Sequence, residues 1–422
     1  MAASSTIKLY NGAKLPLLGL GTYWRVPYAY TMGGKLLPLK SEEYKKTAYE
    51  CTKAAISAGY RHIDTAYAYE NEEEVGRAIK DKILDKTVKR EDMFITGKLW
   101  ATHHHPEDVR PAALNSLKTL GLDYLDMYLI HTPWAFRNPG DGTLFPRDKE
   151  GNLFFDDTDY TITWKAMESL VEDGVVKGIG LSNFNMEQTH RVIKKCQIQP
   201  GVMQVGVRIT SLVLKDPPPP CTILYHPQPE PVHSEYNTVI PYWPDCRLYC
   251  PTAEATRGRA GTKENITPWP LHLRKLIISS QMELHPYLSQ EELVKFCKDH
   301  KIAITAFSSF GAPDSPIRKD DDPRLLNDGE IKALAESYEK SPAQIILRYL
   351  VQQRISVVPK SSNADRIKEN TEIFDFKLSD DDMTRLDVLN KNWRALRYES
   401  VKAHKFYPFK KKPSAEPMAA RA

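Results

Sequence analysis

Asp64, Tyr69, Lys98 and His131 are the residues of this chain whose types and spacing could work together on a carbonyl group. A tyrosine phenol can give a proton to a carbonyl oxygen, but its ordinary pKa is about 10. A cation held against it favours phenolate and lowers that value. Lys98 could be that cation, Asp64 could hold Lys98, and His131 could donate the hydrogen bond that orients the carbonyl. Each has a plainer reading on its own. A lysine at a strand end is more often solvated, a histidine before Thr132-Pro133 is more often a satisfied core residue, and Asp64 and Tyr69 could be a helix cap and a buried ring.

The elements that must carry them favour the joint reading. Asn11-Gly12 is a good hairpin turn between short strands at 7–9 and 14–16. Beyond it, apolar runs at 17–22, 60–64, 93–98, 124–130, 175–180, 201–204, 302–307 and 355–358 read as strands. Helical patterns at 41–58, 70–84, 106–119, 160–173, 185–196, 290–300, 342–353 and 363–371 alternate with them. Such alternation predicts an α/β fold, a closed (β/α)8 TIM barrel with an N-terminal β-hairpin. Thr22, Asp64, Lys98, His131, Ser182, Asn183, Gln204, Phe307 and Lys360 all fall just past strand carboxyl ends, which is the catalytic face of that barrel.

The 422 residues, 41% of them hydrophobic, are enough for one large α/β domain or two ordinary ones. A net charge of +4 is too small to argue for nucleic acid. The sequence contains no apolar run long enough for a membrane span and no apolar signal core near Met1. Six cysteines without a compact pattern read as reduced thiols. The expectation is a cytoplasmic monomer acting on a small molecule, with no nucleic acid, membrane or metal partner. His103-His104-His105 looks like a metal lure, but it precedes a helix start at Pro106 and reads better as a solvated loop.

The blocks Asp64-Thr65-Ala66-Tyr67-Ala68-Tyr69, Gly97-Lys98-Leu99-Trp100, Asp126 to Pro133, Gly180-Leu181-Ser182-Asn183-Phe184, His285-Pro286-Tyr287-Leu288 and Val358 to Asn363 resemble the aldo-keto reductases, closest to the aldose/aldehyde reductase group. The resemblance covers about 6–204 and 282–409. It implies NADPH-dependent reduction of aldehydes and ketones, with Tyr69 as general acid, Lys98 and Asp64 tuning it, and His131 orienting substrate. It further implies that Ser182, Asn183 and Gln204 hold the nicotinamide amide beside Thr22, with Phe307 stacked where the family usually has a tyrosine. Ser308, Phe310, Lys360, Ser361, Ser362, Asn363, Arg366, Glu369 and Asn370 would line the phosphate and adenosine side. Lys360, Ser361, Asn363 and Arg366 put two cations and polar donors around a helix start, with no acidic residue among these four, so NADPH is favoured over NADH. Gly178-Ile179-Gly180-Leu181-Ser182-Asn183 lacks the third glycine of a Rossmann fingerprint. Trp24, Trp100 and Phe145 would wall the substrate pocket, and Thr132, where relatives often have tryptophan, would open or repolarise it.

Residues 205–281 depart from this pattern. They are rich in proline, without sustained period, and read as an unstructured insertion between two parts of one barrel, 1–204 and 282–405, before a tail at 406–422. Joining Gln204 to Met282 restores an uninterrupted sixth strand. Val205-Gly206 and Ser279-Ser280-Gln281 also permit the codons of intron edges, which favours a retained intron or a gene-model error over a genuine functional insertion. Cys221, Cys246 and Cys250 are spaced too loosely for a zinc site. Two rival readings remain, a cofactor-binding scaffold without turnover and a barrel impaired by the interrupted strand.

Overall fold

The computed structural model describes residues 5–9, 11–23, 28–30, 36–38, 42–195, 279–315 and 317–410. Strands β1 (Thr6–Lys8) and β2 (Lys14–Pro16) pair antiparallel. Gly12 sits in their turn at a φ of 86°, which explains the glycine there. The chain continues through β3 (Leu20–Gly21), a short antiparallel pair β4 (Tyr28–Tyr30) and β5 (Leu36–Pro38), and α1 (Glu42–Ser57). Then come β6 (His62–Asp64), α2 (Glu72–Leu84), β7 (Phe94–Leu99), α3 (Pro106–Leu120) and β8 (Met127–Ile130). A second small antiparallel pair, β9 (Ala135–Phe136) with β10 (Phe155–Asp156), precedes α4 (Tyr160–Glu172), β11 (Ile179–Ser182) and α5 (Met186–Lys195). After 279 the order is β12 (Ser279–Glu283), α6 (Glu291–Asp299), β13 (Ala303–Phe307), α7 (Gly329–Ser337), α8 (Pro342–Gln352), β14 (Ser356–Val357), α9 (Ala364–Glu369) and α10 (Asp380–Asp387).

Eight of these strands lie parallel in the order β3-β6-β7-β8-β11-β12-β13-β14. Leu18 bridges Val357 in parallel, and the Gly19 N–H donates to the Val357 carbonyl at 2.8 Å, so the first strand meets the last. The result is the (β/α)8 barrel that the alternation predicts. Every residue of β7 is buried, as expected where a parallel sheet is covered on both faces. Ile63, Ile95, Tyr128, Leu181, Ile304 and Val357 from the strands join Val75, Ile79, Val109, Ile345 and Leu350 from the helices in one core. Local chemistry sets several helix starts. Ser341 and Gln344 form a capping box ahead of Pro342, and the Asp159, Asp328 and Ser379 side chains accept from backbone N–H groups of α4, α7 and α10. Helix α2 crosses α3 closely at Gly76, where a Cβ would stand 2.1 Å from the Leu120 carbonyl oxygen.

The sixth strand differs from the sequence expectation. Residues 201–204 lie outside the described residues, as do the prolines and cysteines of 205–278. The barrel is filled at that place by β12, whose first three residues, Ser279, Ser280 and Gln281, belong to the stretch read as insertion. They pair in register with both neighbours: Ser279 opposite Gly180 and Ala303, Ser280 opposite Leu181 and Ile304, Gln281 opposite Ser182 and Thr305. All five residues of β12 are buried although four are polar. Gly180 allows the fit, since a Cβ there would stand 2.4 Å from the Ser279 carbonyl oxygen. The C-terminal boundary also shifts. Residues 406–410 pack on the barrel, with Phe406 edge-on to Tyr160 at 4.9 Å and Pro408 accepting from Asn185 at 2.9 Å.

One buried carboxyl between barrel and helices has a measurable consequence. Glu72 opens α2; its Oε2 accepts from Ser116 of α3 at 3.1 Å, while Oε1 has no partner among the described residues. Burial pushes its pKa from 4.5 up to about 7. A raised carboxyl pKa contributes stability that is present below the ordinary value and is lost as pH rises through the folded one. The Glu72→Gln variant removes that loss. Its stability relative to the parent, from denaturant unfolding, is expected to grow by about 3 kcal/mol between about pH 4.5 and about pH 9. A pH-independent difference would show that Glu72 is not held neutral.

Candidate active site

Lys98 is the centre of the site. It projects from β7 with a fully buried side chain, and its ammonium has three donors. These meet Asp64 Oδ1 at 2.7 Å, the Thr65 carbonyl at 3.0 Å and the Tyr69 hydroxyl at 3.2 Å. Asp64 ends β6, and its other oxygen accepts from Gln281 Nε2 at 2.7 Å. Tyr69 lies in the short 3₁₀ turn Tyr67–Tyr69, where its carbonyl accepts from the Tyr44 hydroxyl at 2.7 Å. His131 follows β8, and its N–H donates to the Leu99 carbonyl at 3.0 Å. The imidazole stands edge-on to the Tyr69 ring at 5.7 Å and to the Trp100 ring at 5.2 Å. The four residues picked out by type and spacing are therefore one cluster at the carboxyl ends of β6, β7 and β8.

Burial dominates the electrostatics. It lowers the Lys98 pKa, against the Asp64 carboxylate that raises it. Burial, followed by the Asp64 charge, pushes the Tyr69 phenol well above its ordinary value. This reverses the expectation that Lys98 makes the resting phenol more acidic: the ammonium is already engaged by Asp64 and Thr65, and desolvation of a phenolate outweighs it. Tyr69 rests as a proton donor with a cation beside the oxygen that would become negative. Burial, reinforced by Lys98, holds His131 well below the usual imidazole range and hence neutral. Its Nδ1 has no partner among the described residues.

A polar ledge adjoins this cluster. Ser182 Oγ donates to Gln281 Oε1 at 3.3 Å, and Asn183 Nδ2 donates to the His131 carbonyl at 2.9 Å and to Ser182 Oγ at 3.2 Å. Gln281 thus stands where Gln204 was expected; Gln204 itself lies outside the described residues. The Thr22 hydroxyl donates to the Asp64 carbonyl at 3.0 Å, and Phe307 ends β13 partly buried.

Along the rim, Ser308 follows β13 at a φ of 50°, Phe310 packs on the core, and the buried Ser309 Oγ has no partner among the described residues. Lys360 is paired only loosely, at 3.4 Å to the exposed Asp314, a carboxylate that the sequence reading missed. Arg366 and Ser362 are exposed. Asn363 is occupied differently from expectation, since its Oδ1 caps α9 by accepting from the Arg366 N–H at 3.0 Å. Ser361 is turned onto Asn363, the Glu369 carbonyl accepts from Gln344, and Asn370 is buried. Orphaned polar atoms at His131 and Ser309, the loosely paired Lys360 and the exposed Arg366 fit an elongated anionic cofactor.

Trp100 and Phe145 meet edge to face at 5.4 Å, and Trp100 is fixed by donating to the Leu144 carbonyl at 2.8 Å. Trp24 lies outside the described residues. Thr132 does not repolarise the pocket, because its hydroxyl turns onto the Trp134 carbonyl at 2.9 Å. Trp134 is buried against Tyr398, ring centroids 5.1 Å apart. Tyr398 belongs to a C-terminal strap that nothing in the sequence pattern announced. The strap is tied down at the Ala395 and Leu396 N–H groups, which donate to the buried Glu283 carboxylate at 2.7 and 3.1 Å. Among the described residues there is no group of three side chains that could hold a metal ion, and no helix is long and apolar enough to cross a membrane.

Residues 31–215 and 269–391 match the family model described as the aldo/keto reductase family. The aldo-keto reductase family 1 member A1 of Gallus gallus is 38% identical over 93% of this chain and 91% of its own length. The Homo sapiens protein of the same name is 35% identical over 96% of this chain and 98% of its own. The solved structure of the aldose reductase from Schistosoma japonicum superposes with a TM-score of 0.68 at 30% identity, covering 97% of this chain and all of that one.

Proposed function

This chain belongs to the aldo/keto reductase family, and from that premise we propose that it is an NADPH-dependent reductase of aldehydes and ketones in which Tyr69 is the general acid. The observation that carries the reading is the buried Lys98 ammonium shared between Asp64 and the Tyr69 hydroxyl, with neutral His131 facing the same ring. The bound cofactor would supply a hydride to the carbonyl carbon. Tyr69 gives its phenolic proton to the carbonyl oxygen as that oxygen gains the electron pair of the broken π bond. The phenolate left behind lies against Lys98, and a proton from solvent restores it. His131, held neutral, donates an N–H to the same oxygen and sets its direction. Trp100 and Phe145 exclude water from the substrate side.

Ser182, Asn183 and Gln281 would hold the nicotinamide amide, and Phe307 would offer a ring to stack on. Lys360 and Arg366 would take the 2′-phosphate. Replacing both by alanine is expected to raise the Michaelis constant for NADPH roughly 10- to 100-fold, two solvent-screened charge contacts of up to about 1 kcal/mol each being lost, and to leave that for NADH little changed. An equal rise for both would remove these residues from the phosphate site. The proposed setting is a cytoplasmic monomer. The activity itself is tested by following NADPH oxidation by the purified full chain with an aromatic aldehyde; cofactor binding without oxidation would favour a scaffold instead.

A further inference from the structure

We propose that Tyr398 is a positioning residue that fixes the Asn183 amide so that one acceptor position is left for the cofactor's carboxamide. The inference rests on the reading of Asn183 given above. A primary amide has two N–H donors and two acceptor positions on its oxygen. In Asn183 both donors are engaged, on the His131 carbonyl and on Ser182 Oγ. The Tyr398 hydroxyl donates to Asn183 Oδ1 at 3.2 Å. Three of the four bonding positions are thereby set by the protein, and the amide can neither flip nor turn. The fourth, on Oδ1, is the one an incoming carboxamide N–H would meet.

The phenol can do this because the strap places it from several sides. Asn183 and Tyr398 are both non-glycine residues with left-handed backbones, φ 65° and 51°. Asparagine adopts this conformation readily, but a tyrosine holds it only where the surroundings impose it. On the Tyr398 side the surroundings are explicit. Glu283 at the end of β12 accepts from Ala395 and Leu396, Arg397 is paired with Asp322, and the Tyr407 hydroxyl donates to the Arg397 carbonyl at 2.6 Å. The Tyr398 ring is seated on Trp134. Burial raises the Tyr398 phenol above its ordinary pKa, so its proton is present to be donated.

The test is Tyr398→Phe in the full chain, which keeps the ring and removes the hydroxyl. Affinity is measured by calorimetric titration with NADP⁺ and, separately, with 2′,5′-ADP, which carries the phosphates but no nicotinamide. The Kd for NADP⁺ is expected to rise roughly fivefold, the worth of one neutral hydrogen bond, with that for 2′,5′-ADP unchanged. A merely structural role for the strap would weaken both ligands together, and that result overturns the proposal. So does tighter NADP⁺ binding, which would make the phenol a competitor for Oδ1. If the parent chain binds neither ligand, the proposed function itself fails first, and the two failures are distinguishable.

Discussion

Replacing Tyr69 by phenylalanine in the full chain is expected to lower kcat for an aromatic aldehyde by roughly 10²- to 10⁴-fold, the usual contribution of a placed general acid. The change removes one oxygen and leaves the ring against Tyr23 and His131. Lys98 keeps Asp64 and the Thr65 carbonyl as partners, so no buried charge is stranded. Cofactor affinity should therefore stay near that of the parent, and the loss should fall on kcat and not on the Michaelis constant for NADPH. The complementary change, Lys98→Met, would strand the Asp64 carboxylate and confuse chemistry with folding. Tyr69→Phe is the cleaner experiment. Turnover within a few-fold of the parent would show that the proton comes from elsewhere.

The second large effect concerns which glutamine completes the site. Gln281→Ala takes a hydrogen bond from the buried Asp64 carboxylate and an acceptor from Ser182. Leaving a charged group one bond short is worth about 1.5–3 kcal/mol, so kcat/KM for NADPH should fall roughly 10- to 100-fold. If Gln281 is the glutamine that completes the site, Gln204→Ala in the same chain should stay within about twofold. The reverse pattern would mean that 201–204, and not 279–281, supplies the sixth strand of the working enzyme. The comparison also decides whether the proline-rich stretch impairs the barrel. Ser279, Ser280 and Gln281 pair in register with both neighbouring strands, and Met282 and Glu283 with β13, so the proposed floor for the cofactor would be complete.

The parts legible in the sequence were those with strong local signals. Short buried apolar stretches, Phe94-Ile95 in β7 and Met127 to Ile130 in β8, gave those strands away, and polar residues at strand ends located Asp64, Lys98 and His131. Serine and proline marked the start of α8. Strand β12 was illegible for the opposite reason. Ser-Ser-Gln-Met-Glu has no apolar run, and its burial depends on partners far away in sequence: Asp64, Ser182 and the strap N–H groups on Glu283. Helices α7 and α10 were missed because they are extra to the alternation of one helix per strand that located the others, α7 preceding α8 and α10 following α9. Tyr398 could not be found by spacing, since its approach to Asn183 is fixed by a strap tied to Glu283, more than a hundred residues upstream. The direction of the Tyr69 pKa shift is upward, where the neighbouring lysine suggested a lowering. Residue types show which charges can meet, but not how much water they lose.

In the proposed reaction hydride reaches a carbonyl carbon while Tyr69 protonates its oxygen, in the chain as it stands. The direct measurement is isotope transfer. The full-length protein is incubated with NADPH deuterated at both C4 positions and an aromatic aldehyde, and the alcohol is analysed by mass spectrometry and NMR. One deuterium on the carbinol carbon in the parent, with the label lost in step with turnover in Tyr69→Phe, is the expected result. Alcohol without deuterium, or bound cofactor that never yields alcohol, would contradict it.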